Sequence, residues 1–344
     1  MAFASSAESE VVPVRVFRGD RAGFISADGN VVIPFGYSAA REFSEGVAAV
    51  RVKDRWGYID KRGNERIAFR FEDADSFSNG LAAVRENEKW GYIDFKGEMV
   101  IPPAFVAVLP FRNEGAITKS SKGWGLLDVA GKLKSQIYSV IEEFSEGLAP
   151  FLDDGKWGYL DGDGRVAIPN KFDRCYRFKN GMARVQEGEK WGFISNKGDF
   201  IISARFDWVG EFSGATAVAR LDEKWGFIDP DGSWLISPQF DEARAFSEGV
   251  APVKTGLLWG YINGSGNWTV KPRFETADSF HEGLAIASVN GKYGYIDQSG
   301  EFKIAPSYTS AEKFNSGIAR VLVGGWFSIR VKYIDKKGKV LGGK

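Results

Sequence analysis

Tryptophan followed by glycine recurs along this chain at a nearly constant interval, and this recurrence restricts the fold more than any other feature. Successive pairs are 34, 34, 33, 34, 34 and 34 residues apart, and their tryptophans are Trp56, Trp90, Trp124, Trp157, Trp191, Trp225 and Trp259. One further step reaches Tyr293-Gly294, and one step back from Trp56 reaches Ala22-Gly23. A fixed period of this length predicts a tandem-repeat protein.

A second pattern has the same period. Two aromatic residues six positions apart follow each Trp-Gly pair, for example Phe71 with Phe77 and Phe274 with Phe280, and a glycine usually comes after the second aromatic residue. Between these markers, apolar residues alternate with polar ones in segments of four to six residues, which is typical of short strands. Helical repeats of the same period are excluded, because two or more glycines and usually a proline in every unit would break both helices.

Each unit therefore predicts three short antiparallel strands and a connecting segment. The turn between the second and third strands reads Asp-x-x-Gly in most units, as in Asp60 to Gly63, and this pattern favours a tight hairpin. A proline such as Pro102 is expected to end the third strand, because it has no N–H to donate. The Trp and Tyr293 positions are expected to lie in the core of the array, and the adjacent glycine is expected to let neighbouring backbone approach closely.

The recurring W-G-[YF]-I-D-x-x-G pattern, followed by I-x-P and F-x-E-G-x-A-x-V segments, resembles the WG-repeat family from Val11 to about Leu341. This resemblance implies a repeat protein without catalytic residues. Ala22 and Tyr293 depart from the pattern at the Trp position, and the last copy, at Tyr333-Ile334-Asp335, is truncated. Such departures are expected near the ends of an array, where capping repeats are atypical.

The predicted fold class is all-β, with tandem 34-residue repeats of three short antiparallel strands. We expect about ten repeats in a single array over residues 11–341, with tails at 1–10 and 342–344. An open, curved β-superhelix is preferred to a closed propeller-like ring, because propellers usually have four to eight blades of four strands each.

Composition argues against several classes of function. Lys plus Arg equals Asp plus Glu at 45 each, whereas nucleic-acid binding usually requires a basic excess, so no nucleic-acid partner is expected. No run approaches the roughly 18 apolar residues that a membrane-spanning helix needs. Residues 1–9 lack the pattern of a secretory signal, so a cytoplasmic location is the default expectation, with export of a processed form as the alternative.

No combination of residues indicates catalysis or metal binding. His281 is the only histidine and occupies a connector position that other repeats fill with serine or, at Lys179, with lysine, while Cys175 is the only cysteine and aligns with alanines. The Asp161 to Gly164 and Asp229 to Gly232 segments lack the remaining ligands of a calcium loop and are interpreted as turns. The chain is therefore predicted to be no enzyme and to hold neither a cofactor nor a metal.

Function is expected to reside in an extended repeat surface. Columns of Lys before the Trp, and of Glu before the connector glycine, are interpreted as a solvated and mutually compensating surface, with an elongated partner as the alternative. The favoured function is a scaffold that binds another protein, and the alternative is a module that binds a carbohydrate or cell-envelope polymer through aromatic residues. Four tryptophans outside the repeated position are candidates for the ligand surface: Trp208, Trp234, Trp268 and Trp326.

Overall fold

The chain is built from short antiparallel strands in a computed structural model that describes residues 12–26, 30–325 and 328–341, and these residues contain no helix. The chain divides into two compact units, Met1–Gly181 and Met182–Lys344. The tails predicted at 1–10 and 342–344 lie outside the described residues, as does Trp326.

Unit 1 contains nineteen of the described strands. They are β1 Val14–Arg18, β2 Arg21–Ile25, β3 Val31–Tyr37, β4 Ala39–Ala40, β5 Val47–Val52, β6 Arg55–Asp60, β7 Glu65–Phe71, β8 Asp73–Ala74, β9 Ala82–Glu86, β10 Lys89–Ile93, β11 Met99–Phe105, β12 Ala107–Val108, β13 Ala116–Ser120, β14 Gly123–Leu127, β15 Val140–Ile141, β16 Leu148–Asp153, β17 Lys156–Asp161, β18 Val166–Phe172 and β19 Arg174–Cys175.

Unit 2 contains the other nineteen. They are β20 Met182–Glu187, β21 Lys190–Ser195, β22 Phe200–Phe206, β23 Trp208–Val209, β24 Ala217–Leu221, β25 Lys224–Ile228, β26 Trp234–Phe240, β27 Glu242–Ala243, β28 Val250–Thr255, β29 Leu258–Asn263, β30 Trp268–Phe274, β31 Thr276–Ala277, β32 Ala285–Val289, β33 Lys292–Ile296, β34 Phe302–Tyr308, β35 Ser310–Ala311, β36 Ile318–Val323, β37 Arg330–Asp335 and β38 Val340–Leu341.

The three strands predicted for each repeat are present in every described sheet except β12-β13-β14, and in most sheets the connector adds a fourth strand of two residues. In the sheet β4-β5-β6-β7, Ala39 and Ala40 pair with Arg51 and Val50 of the next repeat. The sheets β23-β24-β25-β26, β27-β28-β29-β30 and β31-β32-β33-β34 have the same order in unit 2. None of the described sheets closes into a barrel. The all-β tandem-repeat fold is thus confirmed.

The Trp-Gly pair marks an irregularity in the pairing of the second and third strands. Trp56 pairs with Phe71 and Tyr58 with Ile67, so Gly57 lies opposite three residues of β7. A Cβ atom on Gly57 would lie 2.6 Å from the Ile67 carbonyl oxygen, closer than real Cβ atoms come. The glycine is therefore required because the bulged strand crosses close to its backbone, as the sequence predicted.

The same bulge corrects the prediction that a proline ends the third strand. Strand β11 continues through Pro102 and Pro103 to Phe105, where it pairs with Trp90. The bulged segment needs no donor at these positions, and a third strand has a hydrogen-bonded neighbour on one side alone. Proline is therefore tolerated within the strand instead of ending it.

The core of each unit lies between neighbouring sheets. One cluster joins Trp56, Tyr58 and Phe71 from one repeat to Phe77 and Val84 from the next. Because Tyr58 and Ile59 point to opposite faces of β6 and both are buried, the second strand is covered on both sides. An isolated repeat could not cover both faces, so the folded unit requires stacked repeats.

One repeat of unit 1 departs from this plan. Its sheet, β12-β13-β14, lacks a third strand, and β14 forms isolated bridges instead, from Trp124 to Tyr138 and from Leu127 to Leu133. The Lys134 ammonium group within this irregular segment donates to the carbonyl oxygens of Glu114 and Gly162.

Candidate functional surface

The repeated tryptophans face the interior. Trp56, Trp191 and Trp259 are buried. The other members of the column are half-buried: Trp90, Trp124, Trp157, Trp225 and Tyr293. Connector arginines cover rings of this column: Arg41 lies over Trp56, and the guanidinium carbon of Arg244 lies 5.2 Å from the centre of Trp259. These indoles therefore contribute packing and cation–π contacts within the array.

The column of glutamates is bonded to backbone of the following repeat. The Glu45 carboxylate accepts hydrogen bonds from the backbone N–H groups of Asn79 at 2.8 Å and Gly80 at 3.0 Å. Three more glutamates accept equivalent bonds one repeat further on, namely Glu146 from Asn180 and Gly181, Glu248 from Gly283, and Glu282 from Gly317. We call this arrangement a glutamate clamp. Sequence reasoning missed it, although the spacing of 34 or 35 residues between glutamate and turn was visible.

Lysines of the second strand form ion pairs inside their own repeat. Lys156, Lys190 and Lys224 lie 2.5, 2.5 and 2.6 Å from Asp173, Asp207 and Asp241, respectively. In each pair the aspartate follows the third strand directly. The hydrogen bond from Lys190 lowers the pKa of Asp207, and that from Lys224 lowers the pKa of Asp241. Both charged columns thus make contacts within the array, but these lysines pair with aspartates and the glutamates bind backbone N–H groups, so these contacts differ from the mutual compensation expected of the two columns.

Two carboxyl groups of unit 2 have lowered pKa values, from which we predict that this unit loses stability in acid. Hydrogen bonds from Lys303 and Ser299 lower the pKa of Asp297 to about 2, and Lys336 lowers the pKa of Glu282. A carboxyl group whose pKa is lower when folded stabilises the protein above its unfolded pKa, about 3.9 for Asp, and this contribution is lost as pH falls through the folded value. We therefore expect the Tm of unit 2 to fall between about pH 4 and pH 2.

Thermal unfolding followed by circular dichroism at constant ionic strength measures this effect. The variant Lys303→Gln should show a shallower fall in this range, because Asp297 then loses the main cause of its low pKa. A Tm that stays constant from pH 4 to pH 2 in the unsubstituted protein would contradict the expectation.

The tryptophans outside the repeated position do not form one site. Trp234 and Trp268 occupy equivalent positions at the starts of β26 and β30. Each packs edge-on against the phenylalanine that ends the third strand of the preceding repeat: Trp234 against Phe206 and Trp268 against Phe240. Trp208 instead contacts Trp225, with ring centres 5.1 Å apart. Within the described residues, no ring contact joins Trp208 to Trp234 or Trp268.

Trp234 and Trp268 belong to a larger exposed feature that sequence reasoning missed. The starts of four consecutive third strands of unit 2 carry apolar side chains, which we call the apolar strip: Phe200, Ile201, Trp234, Leu235, Trp268 and Phe302. Phe200, Ile201, Leu235 and Trp268 are 37, 42, 49 and 39% exposed. The 34-residue spacing of Phe200, Trp234, Trp268 and Phe302 was the signal in the sequence that could have revealed this strip.

The family of the chain follows from its repeats. Nine consecutive segments match the sequence profile described as the WG containing repeat: 23–56, 56–90, 90–118, 124–157, 157–191, 191–225, 225–256, 259–293 and 293–325. These matches include almost all of the chain between residues 23 and 325. The chain belongs to the WG-repeat family.

Comparisons of whole chains add little to this assignment. No curated protein matches the chain. Among solved structures, a eukaryotic initiation factor has a TM-score of 0.49 at 12% identity, with 96% of this chain and 95% of that chain covered. Hsv2 from Kluyveromyces lactis has a TM-score of 0.35 at 10% identity, with coverage of 60% and 89%.

Reactive side chains of the WG repeats are engaged by the fold. The Tyr58 hydroxyl donates to the Asp75 carbonyl oxygen at 2.7 Å, and burial raises the pKa of Tyr58 above its usual range. Tyr92, Tyr159, Tyr261 and Tyr295 make the equivalent bond. Burial raises the pKa of the Cys175 thiol to about 12, so the thiol stays protonated at neutral pH. His281 lies half-buried in a connector turn, where its backbone pairs with Leu284.

The aspartate side chains in the turns of the WG repeats accept hydrogen bonds from the backbone. The Asp161 carboxylate accepts from the N–H groups of Asp163 and Arg165, and Asp229 accepts from Asp231 and Ser233. Within the described residues, no group of three side chains is arranged to hold a metal ion, and no helix is long and apolar enough to cross a membrane.

Proposed function

We propose that this WG-repeat protein is a non-enzymatic scaffold that binds a protein partner through the apolar strip of unit 2. The observation that carries the proposal is a group of four exposed apolar side chains at the starts of three successive third strands: Phe200 and Ile201 of β22, Leu235 of β26 and Trp268 of β30. A row of this kind exposes more contiguous apolar surface than scattered single residues do, and such surfaces are typical of protein interaction sites.

The chemistry of the strip favours a protein over a polysaccharide. Sugar rings stack on the open faces of aromatic side chains, whereas the most exposed members here are aliphatic Leu235 and Ile201. Trp268 is the most exposed of the described tryptophans, and Trp234 and Phe302 are half-buried against neighbouring rings. The strip therefore lacks the row of exposed aromatic faces that a polymer-binding module needs. Its exposed aliphatic side chains are better suited to contacts with another protein.

The edges of the sheets favour docking through side chains. Each third strand of unit 2 in the strip has an unpaired edge, and Pro238, Pro272 and Pro306 remove donors from three of these strands. Proline on an edge strand opposes the addition of a further strand. The partner is therefore expected to lie across the strip rather than to extend a sheet.

A binding experiment with matched variants tests this function. The double variant Ile201→Lys with Leu235→Lys places two charges in the strip at exposed positions, where the fold tolerates them. The control, Val100→Lys with Val166→Lys, alters two exposed valines on third strands of unit 1. Proteins captured from the native host by the unsubstituted chain would be identified, purified and titrated against all three forms.

We expect a purified partner to bind the strip variant at least about tenfold more weakly, since each lysine must be desolvated at the interface, and to bind the control unchanged. Equal affinity for all three forms, or the absence of any protein that binds the unsubstituted chain, would reject the proposal.

A further inference from the structure

A concave region of unit 1 lies between the glutamate clamps of Glu45 and Glu146. Its volume is about 310 Å³, and it is lined by residues from three successive connector turns: Ser78, Asn79, Arg112, Asn113, Glu114, Phe144, Glu146 and Gly147. We call it the clamp gap. It lies beside the repeat that lacks its third strand.

One turn in the clamp gap has the backbone of a clamped turn without its acceptor. Glu146 and Gly147 have φ angles of 53° and 80°, compared with 52° and 79° for Asn79 and Gly80, which Glu45 clamps. Within the described residues, no atom accepts a hydrogen bond from the N–H groups of Glu146 and Gly147. The two donors that hold a carboxylate in other repeats are therefore free in this turn.

The sequence explains the missing acceptor. The bridge between Arg112 and Gly115 matches the bridge between Ser44 and Val47, so Asn113, and not the Glu114 that directly precedes Gly115, occupies the position of the clamping glutamate, and it carries no charge. Arg112 replaces the serine that precedes the glutamate in other repeats, such as Ser44 and Ser247. Compared with Ser44-Glu45, the pair Arg112-Asn113 removes one negative charge and adds one positive charge.

The two glutamates at the gap direct their side chains elsewhere. The Glu146 carboxylate is held by the N–H groups of Asn180 and Gly181, at 2.6 and 2.9 Å. The side chain of Glu114 lies over Gly162, close enough that a Cβ atom on Gly162 would come within 3.1 Å of its Cγ atom. Within the described residues, the Arg112 guanidinium has neither an ion pair nor a hydrogen bond, and Arg112 is one of the residues that line the gap.

We infer that the clamp gap binds a carboxylate group from outside the chain. Two backbone N–H groups in the geometry that binds a carboxylate elsewhere in this molecule, together with a guanidinium, form a suitable set of donors, because hydrogen bonds to charged groups are the stronger ones. The Arg112 fork selects a planar, bidentate acceptor. This site does not depend on the proposed function, since the apolar strip lies in the other unit.

The test is a titration followed by ¹⁵N NMR on the full chain, with chloride keeping the ionic strength constant. The probes are glutarate, N-acetyl-glutamate N-methylamide, its neutral glutamine analogue and inorganic phosphate. We expect both carboxylates to shift the amide resonances of Glu146 and Gly147, and the glutamine analogue to leave them unchanged. Tighter binding of the blocked glutamate would identify an acidic peptide as the source, whereas tighter binding of glutarate would identify a small dicarboxylate.

Two variants make the test specific. Arg112→Ser introduces the residue found at equivalent positions and should weaken carboxylate binding about tenfold, while Lys122→Ser removes an equal charge from an exposed turn of the same repeat and should leave binding unchanged. The folded state of both variants is checked by their remaining amide resonances. An absence of shifts at Glu146 and Gly147, an equal effect of both variants, or tighter binding of phosphate than of either carboxylate would overturn the assignment.

Discussion

Trp259→Ala is expected to lower the free energy of unfolding of unit 2 by about 3–5 kcal/mol. The indole is 5% exposed and packs with Tyr261, Phe274 and Phe280 in a cluster that joins two repeats. Its removal leaves a cavity that the surrounding strands can fill only in part, and it also removes the aromatic surface beneath Arg244. Urea unfolding followed by far-ultraviolet circular dichroism measures the change.

Leu257→Ala is the matched control. Leu257 lies two residues before Trp259, but it is 86% exposed, so its truncation should change the free energy of unfolding by no more than about 0.5 kcal/mol. If Trp259→Ala were as mild as this control, the Trp column would not be part of the core, and the tryptophans would have to be reconsidered as ligand-binding groups.

Gly226→Ala is expected to destabilise unit 2 by about 3 kcal/mol, at the upper end of the range for overpacking. A Cβ atom on Gly226 would lie 2.4 Å from the Ile236 carbonyl oxygen and 2.9 Å from the Pro238 nitrogen. Both atoms belong to the backbone of β26, so no side-chain rotation can relieve the contact. The bulge would have to open, and the Trp225 to Phe240 pairing would be strained with it.

Gly264→Ala provides the comparison, because Gly264 lies in an exposed turn with no atom within 4 Å of an added Cβ. We expect this variant to unfold like the unsubstituted protein, within about 0.5 kcal/mol. Equal stability of the Gly226 and Gly264 variants would show that the glycine of the Trp-Gly pair is replaceable, contrary to the proposed role of the close backbone approach.

The sequence predicted the repeat and its hairpins because their determinants are local. Asp60 and Gly63 define a turn by their own conformational preferences, and the alternation around Trp56 defines a strand. The fourth strand was missed because Ala39 and Ala40 are too few to show a period. Its presence gives most sheets four strands, so the strand count used to prefer an open superhelix over a ring no longer separates the two.

The candidate surfaces were harder to predict, because they depend on which donors remain unsatisfied after folding. Glu45 and Asn113 occupy equivalent places in the pattern, yet only the fold shows that one holds a turn and the other leaves it free. The apolar strip likewise required knowledge of exposure, since Leu235 and the buried Ile236 are neighbours in the sequence. Trp234 and Trp268 were identified as ligand candidates without the aliphatic residues beside them.

The two-residue strands make the repeat of the sequence and the sheet of the structure start at different points. Strand β8 comes from the end of one sequence repeat and pairs in the sheet of the next. A duplicated 34-residue segment inserted anywhere in the array would receive its short strand from the copy before it and supply one to the copy after it. Arrays of this kind can therefore lengthen or shorten by in-frame duplication or loss, with no specialised junction to rebuild.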